Sequence, residues 1–201
     1  FMTMRSKFTM PGKSIYYYTV KWDSAALSWE DFRGQVLGPT DPAKAPATSL
    51  RGKIAAQWEA LGLAAEPNVG DNGVHASASP FEALAERLNW CGATLEKDSF
   101  GTALVGSGIS AGTIKAWCVD PQVPYLPTDE VSKGSLFDAL EDMNAGDCLE
   151  KCVALASAGG WPYMRGRVME AAKGLGGVPG GGGGARRPGR RVGVRRSVGR
   201  R

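Results

Sequence analysis

The chain's only histidine, His75, stands in the run Asn72-Gly73-Val74-His75-Ala76-Ser77-Ala78-Ser79, directly before a helix start. An imidazole is the one side chain whose ordinary pKa leaves a neutral nitrogen nucleophile near pH 7. Ser79 supplies an N-cap, Pro80 suits the first helical position, and Glu82 stands three residues after Ser79, as a capping box requires. His75 therefore lies at a helix N-terminus, where backbone N–H groups and the helix dipole favour phosphate. The plainer reading of a single histidine beside a turn is a packed or solvated ring.

The elements that must position it are readable in part. Residues 15–22 put Tyr16, Tyr18, Val20 and Trp22 on one face at period two and predict a strand, central in a sheet. Residues 27–37 are ambiguous, with Trp29 and Phe32 at helical spacing, and they run into a Pro/Gly-rich loop from Gly38 to Ala47. From Lys53, the residues Ile54, Trp58 and Leu61 predict an amphipathic helix closed by Gly62. After Ser79, Phe81, Leu84 and Leu88 form a core stripe. Residues 101–130 read as a Gly-rich, then Pro-rich connection with one apolar patch at Ile114 to Val119. Ser135 caps a helix with Leu136, Phe137, Leu140 and Met143. A second short helix follows Asn144-Ala145-Gly146, and Gly159-Gly160 closes the ordered body.

Composition bounds the rest. With 201 residues and 43% hydrophobic side chains, one sizeable core is expected. The net charge of +4 is unevenly spread. Residues 1–159 carry 13 Lys/Arg against 19 Asp/Glu, a net of −6, whereas residues 160–201 carry 11 against 1, a net of +10. That Gly/Arg-rich tail has little to bury and predicts disorder; its charge would attract nucleic acid or anionic lipid, and its plainer reading is a flexible solvated appendage. Four cysteines with one histidine argue against zinc. Cys148 and Cys152, one helical turn apart, read as buried thiols of a reducing compartment, so the expected location is cytoplasmic. The sequence shows no apolar run long enough to span a membrane. The chain opens on Phe1, as expected of a fragment.

Leu37-Gly38-Pro39-Thr40-Asp41-Pro42, followed by Leu50-Arg51-Gly52, resembles the L-G-x-T-[ND]-P…[IL]-R-G signature of nucleoside diphosphate kinases. Asn72 to Ser79 resembles that family's N-x-x-H-G-S-D-S segment, with Glu86 in the helix that follows. The resemblance covers roughly residues 14–90. It implies an α/β fold, a ferredoxin-like α+β sandwich truncated at its N-terminus with a helical C-terminal extension. The corresponding organisation is a kinase-like domain over 1–100, a helical extension over 101–158 and the basic tail over 159–201.

The resemblance also implies a ping-pong transfer. His75 takes the γ-phosphoryl group of Mg2+-bound ATP, becomes phosphohistidine, and passes the group to a nucleoside diphosphate. Arg51 and Thr40 would bind phosphate, Asn72 the ribose hydroxyl, and Ser77 with Glu86 would orient the imidazole. Nucleoside di- and triphosphates and a homo-oligomer are the implied partners.

Singly, each residue has a plainer reading. Thr40-Asp41 and Asn72-Gly73 suit turns, Arg51 a surface ion pair, Ser77 a second cap, and Glu86 a solvated helix face. The chain also departs from the family pattern, with Ala76 and Ala78 for glycine and aspartate, and Gly34 for an arginine next to Arg33. The segment between Gly52 and Asn72 is longer, and the K-P-D-G strand bearing the family's lysine is absent from the sequence. These departures keep a second expectation open: a catalytically inactive scaffold or nucleotide-binding protein, with the tail tethering it to nucleic acid.

Overall fold

The computed structural model describes residues 9–12, 14–124 and 133–158. The chain divides into two units, one holding residues up to Lys21 and the other running from Trp22. Sequence 14–21 forms no strand, contrary to the period-two pattern, and Tyr16 is 83% exposed. Alternation alone cannot hold a strand, because an extended segment needs a hydrogen-bonding neighbour to satisfy its backbone. Trp22, the last residue of the predicted strand, instead stacks on Phe32 with ring centroids 4.5 Å apart and donates its indole N–H to the Leu27 carbonyl at 2.9 Å.

Helices in the second unit begin where short polar side chains can take an orphan amide. Ser28 opens α1, Trp29–Asp31, by accepting from the Asp31 amide, and the turn continues as a π-helix, Phe32–Leu37. A 3-10 turn, Pro42–Lys44, follows under the Asp41 cap. The next helix, α2, is Leu50–Ala56, capped by Ser49. It starts and ends earlier than the Lys53 to Leu61 pattern predicts, because the Ser49 hydroxyl binds the Gly52 amide at 3.1 Å. Leu61 is left 55% exposed.

Helix α3, Pro80–Trp90, has the predicted Ser79 cap and Pro80 start. Two further helices replace the connection expected after residue 100: α4, Ser99–Gly106, and α5, Ala111–Trp117. Asp98 starts the first by accepting from the Phe100 and Gly101 amides, and Ser110 starts the second. Glycines weaken helix propensity, but side-chain caps and burial of Phe100, Leu104 and Ile114 outweigh that weakness here.

Strands β1, Gln122–Pro124, and β2, Lys133–Ser135, pair antiparallel with Val123 opposite Gly134. Ser135 then caps α6, Leu136–Leu140, which stops before Met143, and α7 spans Ala145–Ala158. The fold is thus mixed α/β, with seven α-helices and one two-stranded sheet among the described residues. Four-stranded ferredoxin-like pairing is not formed by these residues.

One core joins α3 to α7. Phe81 and Leu84 from α3, Leu104 from α4, Ile114 from α5, Leu136 and Leu140 from α6 and Leu149 from α7 are fully buried together. Each such side chain contributes about 1.5–3 kcal/mol. The boundary expected at residue 100 falls inside α4, and this core crosses it. Cys148 and Cys152 are free thiols buried in the same core, as their spacing predicts. No helix among the described residues is long and apolar enough to cross a membrane. The Gly159-Gly160 terminus and the basic tail lie outside the described residues.

Asp98 links α3 to α4, because its buried carboxylate also receives the Arg87 Nε–H at 2.6 Å. Burial works against its charge, but the bonds from Arg87 and the two amides outweigh it and hold its pKa low. Asp98→Ala is therefore expected to cost about 2–3 kcal/mol in urea unfolding, since it strips a cap and leaves Arg87 unpaired. An unchanged urea midpoint would refute that role.

Candidate functional site

The Gly38 to Gly52 loop curls back on itself, and its glycines make the curl feasible. Gly38 has φ +96°, and a Cβ there would stand 2.7 Å from Ser49 Oγ. Ser49 Oγ donates to the Pro46 carbonyl at 2.6 Å, which starts α2 and turns Arg51 inward. Arg51 is only 8% exposed. Its Nη1 donates to the Gly38 carbonyl at 2.6 Å and its Nη2 to the Val74 carbonyl at 2.9 Å, whereas its buried Nε has no partner. Arg51 therefore makes no surface ion pair and joins the first sequence motif to the second. Asn72 Nδ2 adds a parallel tie, donating to the Thr40 carbonyl at 3.0 Å.

Distant elements hold the segment 72–79. Trp29 of α1 donates its indole N–H to the Ser77 carbonyl at 2.9 Å, and its amide donates to Asn144 Oδ1 at 2.9 Å. Asp142, with φ +60°, donates its amide to the Ala78 carbonyl at 2.9 Å, a left-handed conformation that aspartate tolerates. Its carboxylate, with that of Glu141, receives Arg33 Nη1. Sequence reasoning missed Trp29, Asp142 and Asn144, because nothing local ties them to His75.

Glu86 organises the centre. Its Oε1 lies 2.7 Å from His75 Nε2, and its Oε2 accepts the Ser77 hydroxyl at 2.5 Å. Neither of the plainer readings holds for this pair: Glu86 is not a solvated helix face and Ser77 is not a second cap. Glu82 lies one turn earlier on the same helix face, and its carboxylate accepts the Ala78 amide. One ligand atom each from His75, Glu82 and Glu86 falls within 4.8 Å of the others. The hydrogen bond between His75 and Glu86 accounts for much of that proximity.

Charges within this group shift one another. The Glu86 hydrogen bond raises the His75 pKa above its ordinary value, against partial burial and the nearby Arg51 charge. Burial opposes ionisation of Glu86, yet the bonds from His75 and Ser77 prevail and lower its pKa. Burial raises the Glu82 pKa, which the Ala78 amide offsets in part. Burial and the neighbouring Arg33 lower that of Arg51. Arg33 goes the other way, because Asp142 and Glu141 outweigh its desolvation.

An ionised Glu86 only accepts hydrogen bonds, so the proton sits on Nε2 and the lone pair of the neutral ring on Nδ1. The His75 side chain is 65% exposed. In its neutral form the ring is thus oriented with Nδ1 unprotonated, carboxylate-backed on its far side and beside a buried guanidinium, and the raised His75 pKa moves that form to higher pH.

No family model, curated protein or solved structure matches the chain. The geometry therefore carries the functional argument. The structure brings His75, Ser77 and Glu86 into direct contact and links Thr40, Arg51 and Asn72 to them through backbone carbonyls. Those carbonyl bonds take one N–H from each Arg51 Nη, leaving the other N–H of each for a ligand.

Proposed function

We propose that this protein transfers the γ-phosphoryl group of a nucleoside triphosphate to a nucleoside diphosphate through a phosphohistidine at His75. The observation that carries the reading is the Glu86 carboxylate bridging His75 Nε2 and Ser77 Oγ, which leaves Nδ1 as the attacking atom. Phosphoryl transfer needs little covalent help from a protein beyond positioning and neutralisation of charge. Glu86 and Ser77 orient the ring. Arg51 supplies positive field while its Nη atoms hold Gly38 and Val74, and Thr40 and Asn72, joined by the Asn72 Nδ2 bond to the Thr40 carbonyl, would take phosphate and sugar.

Mg2+ enters this reading as part of the ATP substrate. It prefers oxygen ligands in octahedral array, and a cluster whose nitrogen already holds a proton does not fit it as a resident ion. The reading carries with it a homo-oligomer and a ferredoxin-like sandwich.

Incubation with γ-labelled ATP and Mg2+ is the test. An acid-labile, base-stable label that is chased onto a nucleoside diphosphate, and is missing from His75→Ala, is the expected result. No label on the wild-type protein would overturn the proposal. The Arg51 geometry favours one second reading, a catalytically inactive nucleotide-binding scaffold, since one N–H from each side of its donor fork is engaged within the chain. Saturable ATP binding without label would favour that scaffold.

A further inference from the structure

We propose that Glu82 is a second positioning carboxylate of the His75 site: held on the Ala78 amide, it keeps a negative charge beside the imidazole that stabilises the ring whenever it becomes cationic. The phosphorylation half of this inference rests on the function proposed above, whereas the protonation half does not.

The position of the carboxylate sets it apart from an ordinary cap. In a capping box the acidic side chain returns to the amide of the N-cap residue itself. Here Ser79 Oγ caps the Glu82 amide at 3.1 Å, but the Glu82 carboxylate passes over Ser79 and takes the Ala78 amide, closer in sequence to His75. Its spacing of four residues from Glu86 puts both acids on one face of α3, within 4.8 Å of the imidazole.

The charged groups acting on His75 are Glu86 and Glu82 from α3 and Arg51 from α2. Arg33, from the π-helical turn, acts on Glu82, and Arg87 acts on Glu86. Two carboxylates thus oppose one guanidinium at the ring, and a cation on the imidazole is favoured. In the transfer step Nδ1 bonds phosphorus as the bond from phosphorus to the bridging oxygen breaks. The electron pair leaves with the nucleoside diphosphate. The ring keeps its Nε2 proton and takes on positive charge beside both acids.

A single histidine makes the test clean, because one imidazole signal reports the site. His75 is titrated by NMR in the wild-type protein, Glu82→Gln and Glu86→Gln, and phosphohistidine formation is measured at matched pH. Glutamine keeps a carbonyl for the Ala78 amide and removes only the charge. The expected result is a His75 midpoint shifted down in Glu82→Gln and label formation reduced several-fold. Superimposed wild-type and Glu82→Gln curves would overturn the proposal. If Glu82→Gln does not fold, the Glu82 carboxyl carbon is followed in the wild-type protein. An inflection at the His75 midpoint supports the coupling, and a curve without one overturns it. A shifted midpoint with no label on wild type supports the charge role of Glu82 and removes the kinase reading. Label on wild type with an unshifted midpoint removes Glu82 alone.

Discussion

In Glu86→Gln, phosphohistidine formation at neutral pH is expected to fall on the order of 100-fold, because the carboxylate that selects the Nε2-H tautomer is gone. Glutamine can still touch both His75 and Ser77, but its NH2 group can donate to Nε2 and push the ring proton onto Nδ1, blocking the nucleophile. The loss should appear in the rate of labelling rather than in ATP affinity. A labelling rate within twofold of wild type would show that Glu86 does not orient His75.

The same substitution changes how stability depends on pH. The folded pKa of His75 is raised, so its contribution is fully present below the unfolded histidine pKa and is lost as pH rises through the folded value. That of Glu86 is lowered, so its contribution is present above the unfolded carboxylate pKa and is lost as pH falls through the folded value. The pair therefore stabilises most in the mildly acidic range between them. Urea midpoints measured from below that range to above it should be flatter with pH in Glu86→Gln than in wild type.

Gly52→Ala is expected to be the most damaging change in the loop, at about 3 kcal/mol or more of unfolding free energy. A Cβ at position 52 would lie 2.1 Å from the Pro46 carbonyl oxygen and 2.9 Å from its carbon. Those are backbone atoms, so no side chain can rotate away to relieve the clash. The Pro46 carbonyl also receives the Ser49 amide and hydroxyl, and moving it pulls the cap from α2. Arg51, the next residue back, would then lose its aim at Gly38 and Val74. Urea unfolding measures the first effect, and loss of His75 labelling in whatever protein remains folded measures the second. A wild-type midpoint would mean that the close approach of the loop to α2 is wrong.

Local signals were readable from the residues alone wherever one short segment could settle the outcome. Ser79-Pro80 and Ser135 start helices because their hydroxyls reach amides three residues on, and Phe81, Leu84 and Leu88 share a face whatever lies opposite. Cys148 and Cys152 were legible as buried for the same reason. Asp98 and Ser110 carried equally local cap signals, which the many glycines between them obscured.

Tertiary structure alone decided the rest, because its determinants are far apart in the chain. The Tyr/Val alternation near residue 18 forms no strand, since period two describes which side chains share a face and not whether a backbone partner exists. Arg51, readable alone as half of a surface ion pair, is a buried tie between two carbonyls, 13 and 23 residues away. Glu86 looked solvated on its helix until the loop folded His75 and Ser77 onto it. That loop is held by Trp29 and Asp142, whose hydrogen bonds to it depend on how the helices pack rather than on any pattern near position 75.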